Sequence, residues 1–143
     1  MTNEPVTIEE YELHTAQSLY RTLVLARLTP TQADVWNTML SSITSGTRIN
    51  MSQQEIAEFL QVDAGYVSRA ARRLKELGLI WRPTGSGVTW HVNVRLAFKG
   101  PVEEWVDQIN EAPDEVPQLQ VPDYRVRPPR RSGRPRTLRS MST

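Results

Sequence analysis

Apolar residues recur at steps of three and four along five stretches between residues 13 and 109, and this spacing places them on one face of an α-helix. The first stretch contains Leu13, Ala16, Leu19, Tyr20, Leu23, Val24 and Leu28. The second contains Val35, Trp36, Met39, Leu40 and Ile43. The spacing predicts an N-terminal helix that includes Leu13 and His14. It also predicts a second helix that stops near Ser45-Gly46, where glycine can adopt the left-handed conformation.

Two motifs mark helix starts. Thr29-Pro30-Thr31-Gln32 combines a capping threonine, a proline suited to the first helical position and a glutamine that can bond back to the cap. Ser52-Gln53-Gln54-Glu55 repeats this capping box, and Met51 can pack on Ile56 as a hydrophobic staple. The second box predicts a short third helix that runs to about Leu60, after a short strand at residues 47–50.

A fourth helix follows the third after a tight turn. Asp63 can cap it, Gly78 ends it, and Leu79 can pack back on Leu74 as in a Schellman closure. Its inward positions are Val67, Ala70, Ala71, Leu74 and Leu77. Two helices joined by so short a turn make a helix-turn-helix, with residues 64–77 as its recognition helix.

A β-hairpin is predicted directly after this motif. Residues 79–82 and 88–94 have strand composition, and residues 83–87 form the turn. Val88, Trp90, Val92 and Val94 share one face, which leaves His91 exposed on the other. A hairpin in this place is a wing, here residues 82–88. The fold class is mainly α with a small β-hairpin: a winged helix-turn-helix with flanking N- and C-terminal helices and a disordered tail.

The C-terminal helix is short and amphipathic. Its apolar face consists of Val102, Trp105, Val106 and Ile109. That face needs a partner, which is either the N-terminal helix of the same chain or its copy in a second chain. We expect a homodimer.

Charge divides the chain into a body and a tail. The 143 residues carry a net charge of +1, but residues 125–143 hold seven arginines and no acidic residue, so the rest of the chain is acidic. Six of the ten prolines lie between residues 113 and 143. We expect a disordered N-terminus at 1–6, a folded domain at 7–112 and a disordered basic tail at 113–143 that attracts nucleic acid.

Composition disfavours several classes of protein. The chain has no cysteine and only two histidines, His14 and His91, so no metal site or cofactor is expected. The sequence shows no phosphate-binding glycine loop, paired carboxylates or histidine-linked serine, which points away from an enzyme. No apolar run approaches the ~18 residues of a membrane span, and the N-terminus lacks signal-peptide features. We expect a cytoplasmic, nucleoid-associated protein without an evident small-molecule effector.

The helix-turn-helix resembles a known family. Residues 53–60, Val62, Val67-Ser68-Arg69-Ala70, Arg73-Leu74 and Leu77-Gly78-Leu79-Ile80 look like the winged-helix pattern of bacterial MarR-type regulators. Residues 90–100, with Asn93 and Lys99-Gly100, resemble the ending of the RepL family of plasmid replication proteins, with Val94 in place of a proline. The second resemblance implies DNA binding at a replication origin or at the protein's own promoter.

The tail resembles an AT-hook through Arg131-Ser132-Gly133-Arg134-Pro135-Arg136. The Gly-Arg-Pro core of such a hook lies extended in the minor groove, where arginine meets the enhanced negative potential of A·T tracts. The alternative is generic attraction of the arginines to phosphate, and the sequence leaves both open.

The candidate DNA contacts lie on the recognition helix and the wing. On the helix they are Gly65, Tyr66, Ser68, Arg69, Arg72 and Arg73, and on the wing they are Arg82, Thr84 and Ser86. Arg69 is the expected base reader, because arginine can donate two hydrogen bonds to guanine O6 and N7, and Arg73 is expected on phosphate. The other interpretation is a solvated face whose arginines pair with Glu58 or Glu76.

The sequence therefore predicts a protein that binds double-stranded DNA specifically, in plasmid-type replication initiation or in transcriptional regulation. The alternative is an adaptor that uses its winged helix to bind protein, with a tail that attracts nucleic acid without specificity. The acidic body favours the adaptor, whereas the helix-turn-helix, the wing and the basic tail together favour DNA binding.

Overall fold

The computed structural model describes residues 12–85 and 87–120. Within these ranges the elements follow in the order β1 (Leu13–Thr15), α1 (Gln17–Ala26), α2 (Pro30–Ser41), α3 (Gln53–Leu60), α4 (Ala64–Glu76), β2 (Ile80–Trp81), β3 (His91–Val92), β4 (Ala97–Lys99) and α5 (Val102–Asn110). The predicted winged helix-turn-helix is confirmed, because helices dominate and β2 and β3 form a small antiparallel hairpin directly after α3 and α4. None of the helices in the described ranges has both the length and the apolar character that a membrane span requires.

The core lies between α2, α3 and α4, which pack on one another through the predicted apolar faces. The side chains buried at its centre are Val35, Met39, Ile56, Val67 and Leu74. Each burial of this size contributes roughly 1.5–3 kcal/mol. Trp36 and Trp90, which the sequence places on apolar faces, belong to the same core.

The starts of α2 and α3 are capped as predicted. The Thr29 hydroxyl accepts the backbone N–H of Gln32, and the Gln32 side chain accepts the N–H of Thr29. Ser52 and Glu55 repeat this reciprocal pair at the start of α3. Each box satisfies two backbone donors that a helix start leaves without a partner.

The structure confirms the predicted closure at the C-terminal end of α4 but not the predicted cap contact at its N-terminal end. Asp63 stands at the N-cap but makes no side-chain hydrogen bond there, so the predicted cap contact is wrong. The C-terminal end is the predicted Schellman closure: Leu79 N–H donates to Leu74 O at 3.0 Å, and Gly78 N–H donates to Lys75 O at 2.9 Å. The helix ends one residue before the predicted Leu77, which is its C-cap.

The first helix starts later than predicted. Leu13 and His14 lie on β1, which pairs antiparallel with β4, and α1 begins only at Gln17. Leu13 pairs with Lys99, and periodicity within residues 13–28 carries no information about so distant a partner.

The second helix ends earlier than predicted. Helix α2 ends at Ser41, and the next residue, Ser42, is held by the loop, since its hydroxyl accepts the Asn50 N–H at 3.0 Å. Gly46 does adopt the left-handed conformation, with φ +65°. It serves another purpose, because its N–H donates to Lys99 O at 2.8 Å and bridges the loop to β4.

The wing hairpin is shorter than predicted. β2 and β3 pair Ile80 with Val92 and Trp81 with His91. The strand predicted at 47–50 is wrong, because Arg48 forms only an isolated bridge to His91. Val88 is 80% exposed, so its assignment to the buried face is wrong, because it lies ahead of the paired residues. The expectation of an exposed His91 is also wrong: it is half-buried, with Nδ1 3.0 Å from the Thr47 hydroxyl.

Helix α5 is covered on one side only. Trp105 stacks on His14 with ring centroids 5.7 Å apart, and its Nε1–H donates to Val94 O. Within the described chain β1 therefore covers Trp105, whereas the sequence predicted the N-terminal helix or its copy in a second chain as the partner of this face. Val102 and Val106 remain 45% and 50% exposed.

Residues 113–120, here called the strap, lie on the body although the sequence assigns them to the tail. Val116 is only 3% exposed, and Gln120 N–H donates to Leu77 O at 2.9 Å. The strap approaches Gly78, which has φ +82°, so closely that a Cβ there would lie 2.5 Å from Gln118 O. The predicted domain boundary at residue 112 is therefore too early. Residues 1–11 and 121–143 lie outside the described ranges.

Asn93 is fully buried and joins three segments of the chain. Its Nδ2 group donates to Gly78 O at 2.9 Å and to Pro117 O at 3.0 Å, and its Oδ1 accepts the Arg95 N–H at 3.0 Å. Both side-chain donors and the side-chain acceptor are thus used. The end of α4, the turn after β3 and the strap are held together by this one amide.

We expect Asn93→Asp to lower the free energy of unfolding by about 3 kcal/mol or more, because a carboxylate oxygen would face two carbonyl oxygens in a buried site. Urea unfolding of the variant and the unaltered protein measures this difference. Asn110→Asp is the control, since it makes the same chemical change at an exposed position. An equal loss in the control would contradict the role given to Asn93.

Candidate nucleic-acid interface

The outward face of α4 is cationic and accessible. Gly65, Arg69 and Arg72 lie along one line of the helix, with Tyr66 beside them, and all four are exposed. The opposite face of α4 is buried against α2 and α3, which determines the direction of this line. Among the described residues, Arg69 and Arg72 form no ion pair with a carboxylate. Their charges are therefore available to a polyanion.

Arg69 reaches back toward the N-terminal end of α4. Its guanidinium carbon lies 4.9 Å from the centroid of the Tyr66 ring, and a Cβ on Gly65 would lie 3.4 Å from Arg69 Nη1. The ring orients the guanidinium through a cation–π contact worth about 0.5–1 kcal/mol at an exposed site. Such a contact is weak enough to be exchanged for a base.

Arg73 and Ser68 are less accessible than the other candidates on α4, and both are half-buried. Arg73 Nη1 lies 3.7 Å from Glu76 Oε1, so the predicted alternative of arginine paired with acid holds for this residue. A pair this exposed contributes only about 0.2–1 kcal/mol and leaves Arg73 free to exchange partners. Glu58, the other predicted partner, instead accepts a hydrogen bond from Gln54.

The wing presents one cation and one backbone donor. The guanidinium of Arg82 lies 3.9 Å from the centroid of the Trp90 ring, which holds the side chain against the hairpin. Thr84 is exposed, and its N–H donates to Glu115 Oε1 at 3.0 Å. A cleft of about 410 Å³ separates this part of the wing from Ser52 and Gln53 at the start of α3.

Two residues beside the wing have no counterpart in the sequence interpretation. Arg48 is exposed and bridges to His91, and Glu115 on the strap accepts the Thr84 N–H. Neither carries a local signal, because each reaches the wing through a contact with residues distant in sequence.

Some predicted contacts lie outside the described residues. These are Ser86 on the wing and Arg131, Gly133, Arg134, Pro135 and Arg136 in the tail. Within the described ranges, no three histidine or acidic side chains come together as potential metal ligands.

Residues 45–85 match the sequence profile of the MarR family. The matched segment contains α3, α4 and β2 and ends in the wing turn, so it includes every candidate contact on α4. The match supports a MarR-like winged helix and suggests a winged-helix DNA-binding transcription regulator. No curated protein and no solved structure matches the chain.

His91, at the base of the wing, is perturbed by its surroundings. Burial, and to a smaller extent the nearby Arg48 cation, lower the pKa of its imidazole below the usual 6.5. As the pH falls through 6.5, His91 becomes protonated in the unfolded chain, whereas it stays neutral in the folded protein. Stability therefore falls as the solution is acidified through this window.

We expect His91→Gln to lose less stability than the unaltered protein between about pH 7.5 and pH 5.5, because glutamine cannot take up the proton. Urea midpoints at the two pH values measure the loss. Equal losses in His91→Gln and the unaltered protein would show that another group causes the pH dependence.

Proposed function

We propose that the chain is a sequence-specific double-stranded DNA-binding protein of winged helix-turn-helix type that regulates transcription. The observation that carries the proposal is the exposed line of Gly65, Arg69 and Arg72 on the second helix of a helix-turn-helix that continues directly into a wing. The similarity of residues 45–85 to the MarR family supports it. The protein acts by binding rather than by catalysis.

In this proposal residues 64–77 enter the major groove. Arg69 donates to guanine O6 and N7, and Tyr66 contacts a thymine methyl or a phosphate. Ser68, Arg72 and Arg73 contact the backbone, which fixes the orientation of the helix without reading sequence. The wing at 82–88 contacts the adjacent backbone or minor groove through Arg82, Thr84 and Ser86.

A second copy of the chain is the partner that we propose for the exposed apolar residues of the outer helices. Tyr20 and Val24 on α1 are 56% and 73% exposed, and Val102 and Val106 on α5 are also accessible. Each pair lies four residues apart and so shares one helix face. In a two-fold dimer the recognition helices would meet half-sites about one helical turn apart.

For the tail we propose a contribution to DNA affinity. Its seven arginines between residues 125 and 143 neutralise phosphate, and Gly133-Arg134-Pro135 inserts into the minor groove of A·T tracts. The acidic body then binds DNA weakly without the tail.

Two other roles are open to the same chain. The RepL-like segment at 90–100 favours initiation of plasmid replication, in which the protein marks an origin through the same contacts. A protein-binding adaptor is favoured only by the acidic body. A mobility-shift assay on genomic fragments with competitor DNA separates the adaptor from both DNA-binding roles, since the adaptor gives no complex that survives competition.

We expect Arg69→Ala to lose about 1–3 kcal/mol of discrimination between the preferred site and random duplex, because a base contact is removed. Arg73→Ala should weaken both duplexes about equally. Fluorescence anisotropy with selected and random duplexes measures the affinities of the unaltered protein and of each variant. Arg21→Ala removes an exposed arginine from α1, outside the proposed surface, and controls for net charge. Equal losses on both duplexes in Arg69→Ala would contradict its role as base reader.

We expect deletion of residues 125–143 to reduce the slope of log affinity against log salt by ~0.9 for each arginine that neutralises a phosphate, up to the seven arginines removed. A salt titration of the truncated and full-length proteins measures the slope. An unchanged slope and affinity would show that the tail does not touch DNA.

Arg134→Ala should impair binding to sites flanked by A·T tracts more than to G·C-flanked sites, and equal impairment would reject groove insertion.

A further inference from the structure

The strap brings a carboxylate to the wing. Glu115 Oε1 accepts the backbone N–H of Thr84 at 3.0 Å, across 31 residues of sequence. Thr84 lies in the turn of the wing and is one of the residues that we propose to contact DNA. A side chain of the protein therefore occupies a donor on the proposed DNA-binding surface.

The position of Glu115 is determined by the residues that follow it. The next residue, Val116, is 3% exposed, and the carbonyl of Pro117 accepts the Asn93 side chain at 3.0 Å. Further along, Gln120 N–H donates to Leu77 O at 2.9 Å. The strap is thus anchored at several points to the body, and this anchoring places Glu115 beside the wing turn.

A carboxylate oxygen and a phosphate oxygen make the same kind of contact with a backbone N–H. Each carries negative charge and accepts the hydrogen bond, and backbone N–H groups are common donors to DNA phosphate. One N–H in a turn has room for one such acceptor. A second negative charge would also be repelled by the first.

From this geometry we propose that Glu115 is an internal competitor of a DNA phosphate for the Thr84 N–H, so that binding of duplex DNA displaces the Glu115 side chain from the wing. This inference rests on the proposed function and adds to it a contact that lowers the affinity for DNA. Because the contact is a single exposed hydrogen bond, its removal raises the affinity for DNA only modestly.

The test compares Glu115→Ala with Asp114→Ala in the full-length protein. Both variants remove one negative charge from adjacent exposed residues, but only the change at Glu115 also removes the acceptor of the Thr84 N–H. We expect Glu115→Ala to raise affinity for duplex DNA about two- to fivefold more than Asp114→Ala at about 0.1 M salt, by anisotropy with the same labelled duplex. Thermal unfolding of both variants excludes a difference in folding.

A measurement without DNA tests the contact itself. The amide resonance of Thr84 should shift as the Glu115 carboxylate is titrated, and this shift should be absent in Glu115→Ala and retained in Asp114→Ala. Equal affinities of the two variants would overturn this inference but not the proposed function. The same holds if the Thr84 amide resonance of the unaltered protein does not shift during the titration. Failure of the unaltered protein to bind any duplex would overturn the proposed function and this inference together.

Discussion

One buried amide holds α4, the wing and the strap together. Asn93 joins the end of α4, the turn after β3 and the strap. An amide can do this because it offers two donors and an acceptor in a fixed plane, and here each has a backbone partner. Gly78 completes the constraint, since the absence of a Cβ lets the strap lie against the helix end. The position of helix α4 relative to the wing is thereby fixed.

This relation determines the surface that the chain presents. Burial of one face of α4 leaves Arg69 and Arg72 exposed on the other, and the sheet that begins after α4 places Arg82 on the Trp90 ring. The net charge of the chain is only +1, so attraction for a polyanion depends on local clusters of cations and not on the net charge of the protein.

Opposite charges also follow one another along the C-terminal part of the chain. Residues 100–120 hold six acidic residues and no basic one, and residues 125–143 hold seven arginines. If Glu115 competes with phosphate at the wing while the tail attracts it, the affinity for DNA is a difference between two electrostatic contributions. Salt screens both, over a distance of about 10 Å at 0.1 M, so the balance between them depends on ionic strength.

The sequence by itself determined the helices and their joints, because the signals involved act within a few residues: the boxes at Thr29 and Ser52 and the glycine closure at Gly78 formed as predicted. The cationic line on α4 follows from the same short-range periodicity. Only the tertiary structure decided that Leu13–Thr15 is a strand, that His91 is half-buried and that the strap lies on the body. Each of these depends on a partner distant in sequence, and a local pattern of apolar residues records that a side chain needs burial but not which segment will cover it.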